Sequence, residues 1–236
     1  IGTDPDSDRV AALARRDGDY IPITGNQMGV LLLDYIIRGR VEKGSMPENP
    51  VLLKTIVSTE MAAEVARQNG VQSVETFTGF KFMAEKIAQF ERDHSYHYIF
   101  AFEESIGYMC GDFVRDKDAV TASMLIAEMG AWYESRGMTL LDALDELYKT
   151  YGYYAEKTLN LVMPGLDGQE KMAKLMRDLR QSPPEQIGGE QVLRLRDYQS
   201  GRVRVPGLGE VAETEISGSN VLYYELADGS NCIVRP

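Results

Sequence analysis

From residue 51 to residue 134 the sequence alternates short β-rich runs with segments of helical period, and few folds accommodate that alternation. Residues 51–57, 71–77 and 96–102 are rich in β-branched and aromatic side chains and read as strands. Residues 60–68 and 79–92 lie between them with helical patterning. Phe82, Ile87 and Phe90 are among the apolar positions of the second helix, and Gly70 is placed to end the first. Upstream, residues 10–14 read as a further strand. Thr24-Gly25-Asn26-Gln27 fits a capping box opening a mostly buried helix that runs to about Arg38. Downstream, helices are expected over about 118–134 and from near Thr139, with Asp142 as the capping partner. Strands alternating with helices imply an α/β fold with crossover connections, a mixed β-sheet layered with helices. In such sheets ligands bind just past the carboxyl ends of strands. Residues 78–81 and 103–107 both sit there.

Past about residue 155 the pattern changes. Pro164-Gly165 and Pro183-Pro184 punctuate it, with one helix expected over about 169–180. Short strands follow, closing in a hairpin signal at Asp228-Gly229 between residues 221–226 and 231–234. This reads as a separate, smaller α+β domain.

The formal net charge of −11 disfavours nucleic-acid partners, because an acidic surface repels the phosphate backbone. No apolar run approaches membrane-spanning length; the longest, residues 30–37, is interrupted by Asp34. No signal peptide is visible, and a cytoplasmic location is expected. Cys110 and Cys232 are too few for a disulfide framework and read as reduced thiols. His94 and His97 lack further ligands for a metal site. The tyrosines at 133, 148, 151, 153 and 154 read as packing between domains.

Asp4-Pro5-Asp6-Ser7-Asp8-Arg9 is the sharpest chemical feature. Three carboxylates at alternate positions of a turn can converge on one hard cation, and magnesium prefers such oxygens. Arg9 beside them could clamp a phosphate oxygen. The alternatives are a solvated acidic turn or an aspartyl-nucleophile phosphatase loop. A calcium EF-hand loop fails, because Arg9 and Arg15 stand where Gly and Glu are required. Thr78-Gly79-Phe80-Lys81 opens a helix after a strand, where backbone N–H groups and Lys81 favour an anion; a plain cap with a surface lysine fits too. Glu103-Glu104-Ser105-Ile106-Gly107 could hydrogen-bond vicinal sugar hydroxyls. Arg115-Asp116-Lys117-Asp118 is either a second phosphate contact or a solvated charge run.

Together and in this order, the four segments resemble the α-D-phosphohexomutase family, the phosphoglucomutases and phosphomannomutases. The wording is nearest the branch of bacterial phosphoglucomutases and phosphopentomutase-like enzymes. The resemblance implies that residues 1–18 end a second domain, 19–155 form a third, sugar-recognition domain, and 156–236 form part of a fourth. It implies Mg2+ on Asp4, Asp6 and Asp8, and Arg9 on the transferring phosphoryl group. It places Lys117 near the reacting phosphate or hydroxyl, with Thr78, Gly79 and Lys81 around the substrate and Glu103 and Ser105 on the sugar hydroxyls. The implied reaction interconverts sugar 1- and 6-phosphates through a phosphoserine, with a glucose 1,6-bisphosphate-type activator and a sugar phosphate as the ligand. A pentose or mannose preference, a metal-dependent phosphatase and a non-catalytic sugar-phosphate-binding module are the alternatives.

Two parts of the family pattern are missing from the sequence. The phosphoserine loop, Thr-Ala-Ser-His-Asn-Pro, has no counterpart: Thr121-Ala122-Ser123 is followed by Met124 and Leu125 inside an expected helix, so Ser123 reads as structural. The phosphate-gripping loop, Arg-Pro-Ser-Gly-Thr-Glu-Pro, would begin at Arg235-Pro236. The expectation is a fragment that does not turn over substrate.

Overall fold

The structure, a computed structural model, describes residues 1–236 apart from the side chain of residue 166. It divides into two compact units, Ile1–Glu156 and Lys157–Pro236.

The first unit opens with β1 (Gly2–Thr3), β2 (Val10–Arg16) and β3 (Asp19–Ile23), an antiparallel sheet in that order. Asp17-Gly18 makes the β2–β3 hairpin, with φ of 53° and 96°, the left-handed pair that two-residue hairpins require. Then come α1 (Gly25–Glu42), β4 (Pro50–Thr55), α2 (Glu60–Gln68), β5 (Gln72–Thr76), α3 (Phe80–Asp93), β6 (His97–Glu103), β7 (Gly107–Met109), α4 (Ala119–Glu134) and α5 (Leu140–Tyr151). The second sheet has the order β5-β4-β6-β7. β4 runs parallel to both β5 and β6, and β7 turns back antiparallel on β6, so the sheet is mixed as expected.

Alternation along β4 and β6 separates two cores. Leu52, Phe100 and Phe102 point to the side of α1, α2, α4 and α5, where Val10, Ala12 and Ala14 of β2 are also buried. Val51, Leu53 and Ala101 meet Phe80, Met83, Ile87 and Phe90 of α3. The expected capping boxes form at Thr24 with Gln27 and at Thr139 with Asp142. Ser123 lies within α4. Of the tyrosines singled out, Tyr148 accepts from Gln27 and Tyr151 from Asn69.

Several bounds differ from the sequence reading. β4 ends at Thr55, because the next residues turn so that the Ser58 N–H reaches the Thr55 carbonyl. β1, β3 and β7 are additional strands.

The second unit holds α6 (Gly165–Gln181), longer at its start than expected, then β8 (Gln186–Ile187), β9 (Glu190–Asp197), β10 (Arg202–Val205), β11 (Gly209–Glu213), β12 (Leu222–Leu226) and β13 (Asn231–Val234). β9 is central, and β12 and β13 form the expected Asp228-Gly229 hairpin. Met176 of α6 packs on Val192, Leu195, Leu222 and Tyr224. Among the described residues, no helix of the chain is long and apolar enough to cross a membrane.

Candidate functional site

Three segments of the first unit meet: the acidic loop between β1 and β2, the turn from β6 to β7, and the segment leading into α4. The acidic loop folds on Asp4. The Asp4 carbonyl accepts from Ser7 N–H at 3.1 Å, and Asp4 Oδ1 accepts from the N–H groups of Asp8 and Arg9 at 3.2 and 3.1 Å. These bonds, the one from Arg9 foremost, hold the Asp4 carboxyl below its ordinary pKa despite some desolvation. Ser7 takes a left-handed φ of 57°, which tightens the turn. Carboxylate oxygens of Asp4, Asp6 and Asp8 all lie within 4.8 Å of one another. Oxygens around an octahedral magnesium at about 2.1 Å stand roughly 3 to 4.2 Å apart, a span near that of this set. The donor set is all oxygen and anionic, which fits magnesium.

The β6–β7 turn carries the second group. Glu103, at the end of β6, is 6% exposed. Its Oε1 accepts from Gly79 N–H at 2.5 Å, and its Oε2 from Ser105 Oγ at 3.3 Å. A hydrogen bond to a buried carboxylate contributes about 1.5–3 kcal/mol, so Gly79 and Glu103 fix each other. Gly79 has φ of 115°, which a side chain would strain. Glu104 accepts from Thr55 Oγ1 at 3.3 Å. Ile106 is also left-handed, at φ 58°, an uncommon conformation for a β-branched residue and one often kept at ligand sites. On the other side of the turn, α1 begins so close that a Cβ on Gly25 would lie 2.0 Å from the Glu104 carbonyl oxygen.

The acidic loop is stitched to this turn. Val10 N–H donates to the Ile106 carbonyl at 3.1 Å, and Arg9 forms a bridge with Gly107. Ala119 N–H, at the start of α4, donates to the Ser7 carbonyl at 3.1 Å. Lys117, just before it, places its ammonium 2.7 Å from Asp8 and 3.2 Å from Asp116. Partial burial pulls the Lys117 pKa down, and the two carboxylates outweigh it, so the net shift is upward and the side chain stays charged.

Of the residues singled out in the sequence, Asp4, Asp6, Asp8, Arg9 and Lys117 thus lie in one continuous group, and Gly79, Glu103 and Ser105 in an adjoining one. Thr78 is half-buried beside Gly79. Arg9 is exposed, and among the described residues its guanidinium makes no ion pair with a carboxylate. Lys81 is exposed with its ammonium over the Phe82 ring, 4.8 Å from the centroid, and no contact ties it to the other site residues. Sequence reasoning missed the contacts of Thr55 and Gly25 with the β6–β7 turn.

Comparison with known proteins gives consistent results. The family description "Phosphoglucomutase/phosphomannomutase, alpha/beta/alpha domain III" matches residues 24–151. A phosphoglucomutase of Staphylococcus aureus (strain N315) is 38% identical over 224 residues, covering 94% of this chain and 39% of the relative. The chain therefore spans about two fifths of the length of the curated relatives it matches. Among solved structures, parafusin, a phosphoglucomutase from Paramecium in its open form, aligns over 99% of this chain and 37% of its own, with a TM-score of 0.57 at 16% identity. A phosphoglucomutase/phosphomannomutase family protein from Burkholderia thailandensis aligns over 87% of this chain and 37% of its own, with a TM-score of 0.50 at 16% identity.

Proposed function

The chain belongs to the phosphoglucomutase/phosphomannomutase family, and from that premise we propose that it supplies the metal-binding and sugar-binding residues of a phosphoglucomutase-type enzyme. Such an enzyme moves a phosphoryl group between the 1- and 6-positions of a hexose phosphate through a phosphoserine. In this reading residues 1–18 end the family's second domain, 19–155 are its third and 156–236 belong to its fourth.

The observation that carries the proposal is the junction of the two loops. The acidic loop and the Glu103–Ser105 turn are joined through Val10, Arg9 and Gly107, so a cation and a sugar ring held by them are neighbours. Asp4, Asp6 and Asp8 would hold magnesium, which when bound would supply positive charge beside a transferring phosphoryl group. Arg9, exposed beside them, contacts that phosphoryl group through its planar fork. Lys117 stays protonated next to Asp8 and stands where a reacting hydroxyl or phosphate oxygen would exchange a proton.

Glu103 accepts from one ring hydroxyl and Ser105 serves its neighbour. Their contacts fall on the ring edge, which suits a substrate that must bind in two orientations. Gly79, with Thr78 beside it, holds Glu103 from behind, and Lys81 adds positive charge at the start of α3.

Calorimetric titration with glucose 1-phosphate, mannose 1-phosphate and ribose 1-phosphate in magnesium tests the assignment. The proposal predicts saturable binding that is strongest for the glucose ester and weakened in Glu103→Gln. Equal affinity for all three, or indifference to that substitution, contradicts it.

A further inference from the structure

Lys54 is 1% exposed, on β4 between the neighbouring strands β5 and β6. Core lysines are rare unless paired, and a buried ion pair seldom outperforms an apolar replacement in stability. Its three ammonium protons face three acceptors: Glu75 on β5 at 2.7 Å, Glu60 at the start of α2 at 3.1 Å, and the Ser58 carbonyl at 3.4 Å.

Two routes lead from this ammonium to the β6–β7 turn. Glu75 immediately precedes Thr76, whose carbonyl takes the Ile56 N–H at 2.9 Å. The chain then runs through Phe77 and Thr78 to Gly79, which donates to Glu103. Ser58 leads the other way. Its hydroxyl is 2.8 Å from Thr55 Oγ1, and Thr55 Oγ1 donates to Glu104 at 3.3 Å. The Lys54–Glu75 ion pair thus adds a side-chain link beside the backbone ladder at the carboxyl ends of β4 and β5, and each of the two adjacent carboxylates of the turn connects to it by one of these routes.

We propose that Lys54 is a positioning residue for the Glu103–Gly107 turn, holding the Glu103 and Glu104 carboxylates in register through Glu75 and through Ser58 and Thr55. It touches no ligand itself. That the turn binds a sugar rests on the function proposed above; the coupling between Lys54 and the turn does not.

The test uses the full chain as wild type, Lys54→Met, Lys54→Arg and the double variant Lys54→Met/Glu75→Gln. The double variant removes the repulsion left between Glu60 and Glu75 and replaces the single variant if that one does not fold. Amide hydrogen exchange without ligand is measured first. The proposal predicts that Gly79 N–H exchanges about tenfold faster in Lys54→Met, that Leu53 and Phe100 stay protected, and that Lys54→Arg restores Gly79. An unchanged Gly79, or uniform acceleration at all three amides, overturns it. Titration with glucose 1,6-bisphosphate follows. Weaker binding in Lys54→Met with recovery in Lys54→Arg supports the proposal, and equal binding by wild type and Lys54→Met overturns it. If wild type does not bind, the sugar assignment falls, while selective Gly79 exchange still upholds the coupling and its absence still refutes it.

Discussion

The Lys117 ammonium stands 2.7 Å from the Asp8 carboxylate, so a fixed positive charge occupies one member of the aspartate triad. Lys117 and a bound cation compete for the same negative charge. Lys117→Met should therefore raise Mg2+ affinity. A partly exposed pair of this kind contributes about 0.2–1 kcal/mol, which corresponds to up to about fivefold in affinity. Calorimetry with MgCl2 alone measures this, and a fall in affinity would contradict the arrangement.

The Asp triad itself predicts a graded response. Asp6 is the most exposed of the three and makes none of the backbone bonds that Asp4 makes within the loop. Asp6→Asn should weaken Mg2+ binding while leaving the melting temperature nearly unchanged. Asp4→Asn should weaken binding and also loosen the loop, seen as faster exchange of the Asp8 and Arg9 amides.

Gly25 and Gly130 should respond oppositely to alanine. At Gly25 a Cβ would collide with the backbone of Glu104, at 2.0 Å from its carbonyl oxygen. Forced overpacking of that kind costs about 1–3 kcal/mol, and the displaced turn should also lose ligand affinity. At Gly130, inside α4, a Cβ meets open space, and helix propensity predicts a gain of about 0.5–1 kcal/mol. Urea denaturation of the two variants decides both signs.

Burial raises the Cys110 thiol from 9.0 to about 12, with Asp118 adding to the shift. The folded chain keeps this proton while the unfolded chain releases it, so stability should decline as pH rises from about 9 towards 12. Below pH 9 the group contributes no slope. At pH 8 native Cys110 should resist iodoacetamide and react at an ordinary rate in urea, which mass spectrometry of the labelled peptide would show.

Much of the first unit was legible because its helices announce themselves. Thr24 with Gln27 and Thr139 with Asp142 form local caps that need no tertiary partner, and β4 and β6 each carry a buried apolar stretch, residues 51–53 and 99–102. β7 was not legible: its three residues become a strand only by pairing with β6. β3 was legible in principle through Asp17-Gly18, but Pro22 and its exposed surface masked the pattern. In the site, the aspartate triad and Glu103–Ser105 are short-range motifs and could be read directly. The contacts of Lys117 with Asp8, of Gly79 with Glu103 and of Lys54 with Glu75 join residues distant in sequence: the packing of β4, β5 and β6 brings the last two pairs together, and the backbone contacts of the acidic loop with Gly107 and Ala119 bring the first.

The most direct test of the account is calorimetric titration of the chain with glucose 1,6-bisphosphate in magnesium, beside Ser105→Ala. The account predicts saturable binding by wild type that weakens about fivefold when the hydroxyl is removed, the effect of losing one hydrogen bond. No binding by wild type, or binding of equal strength in both proteins, would contradict a sugar-phosphate site at the Glu103–Ser105 turn.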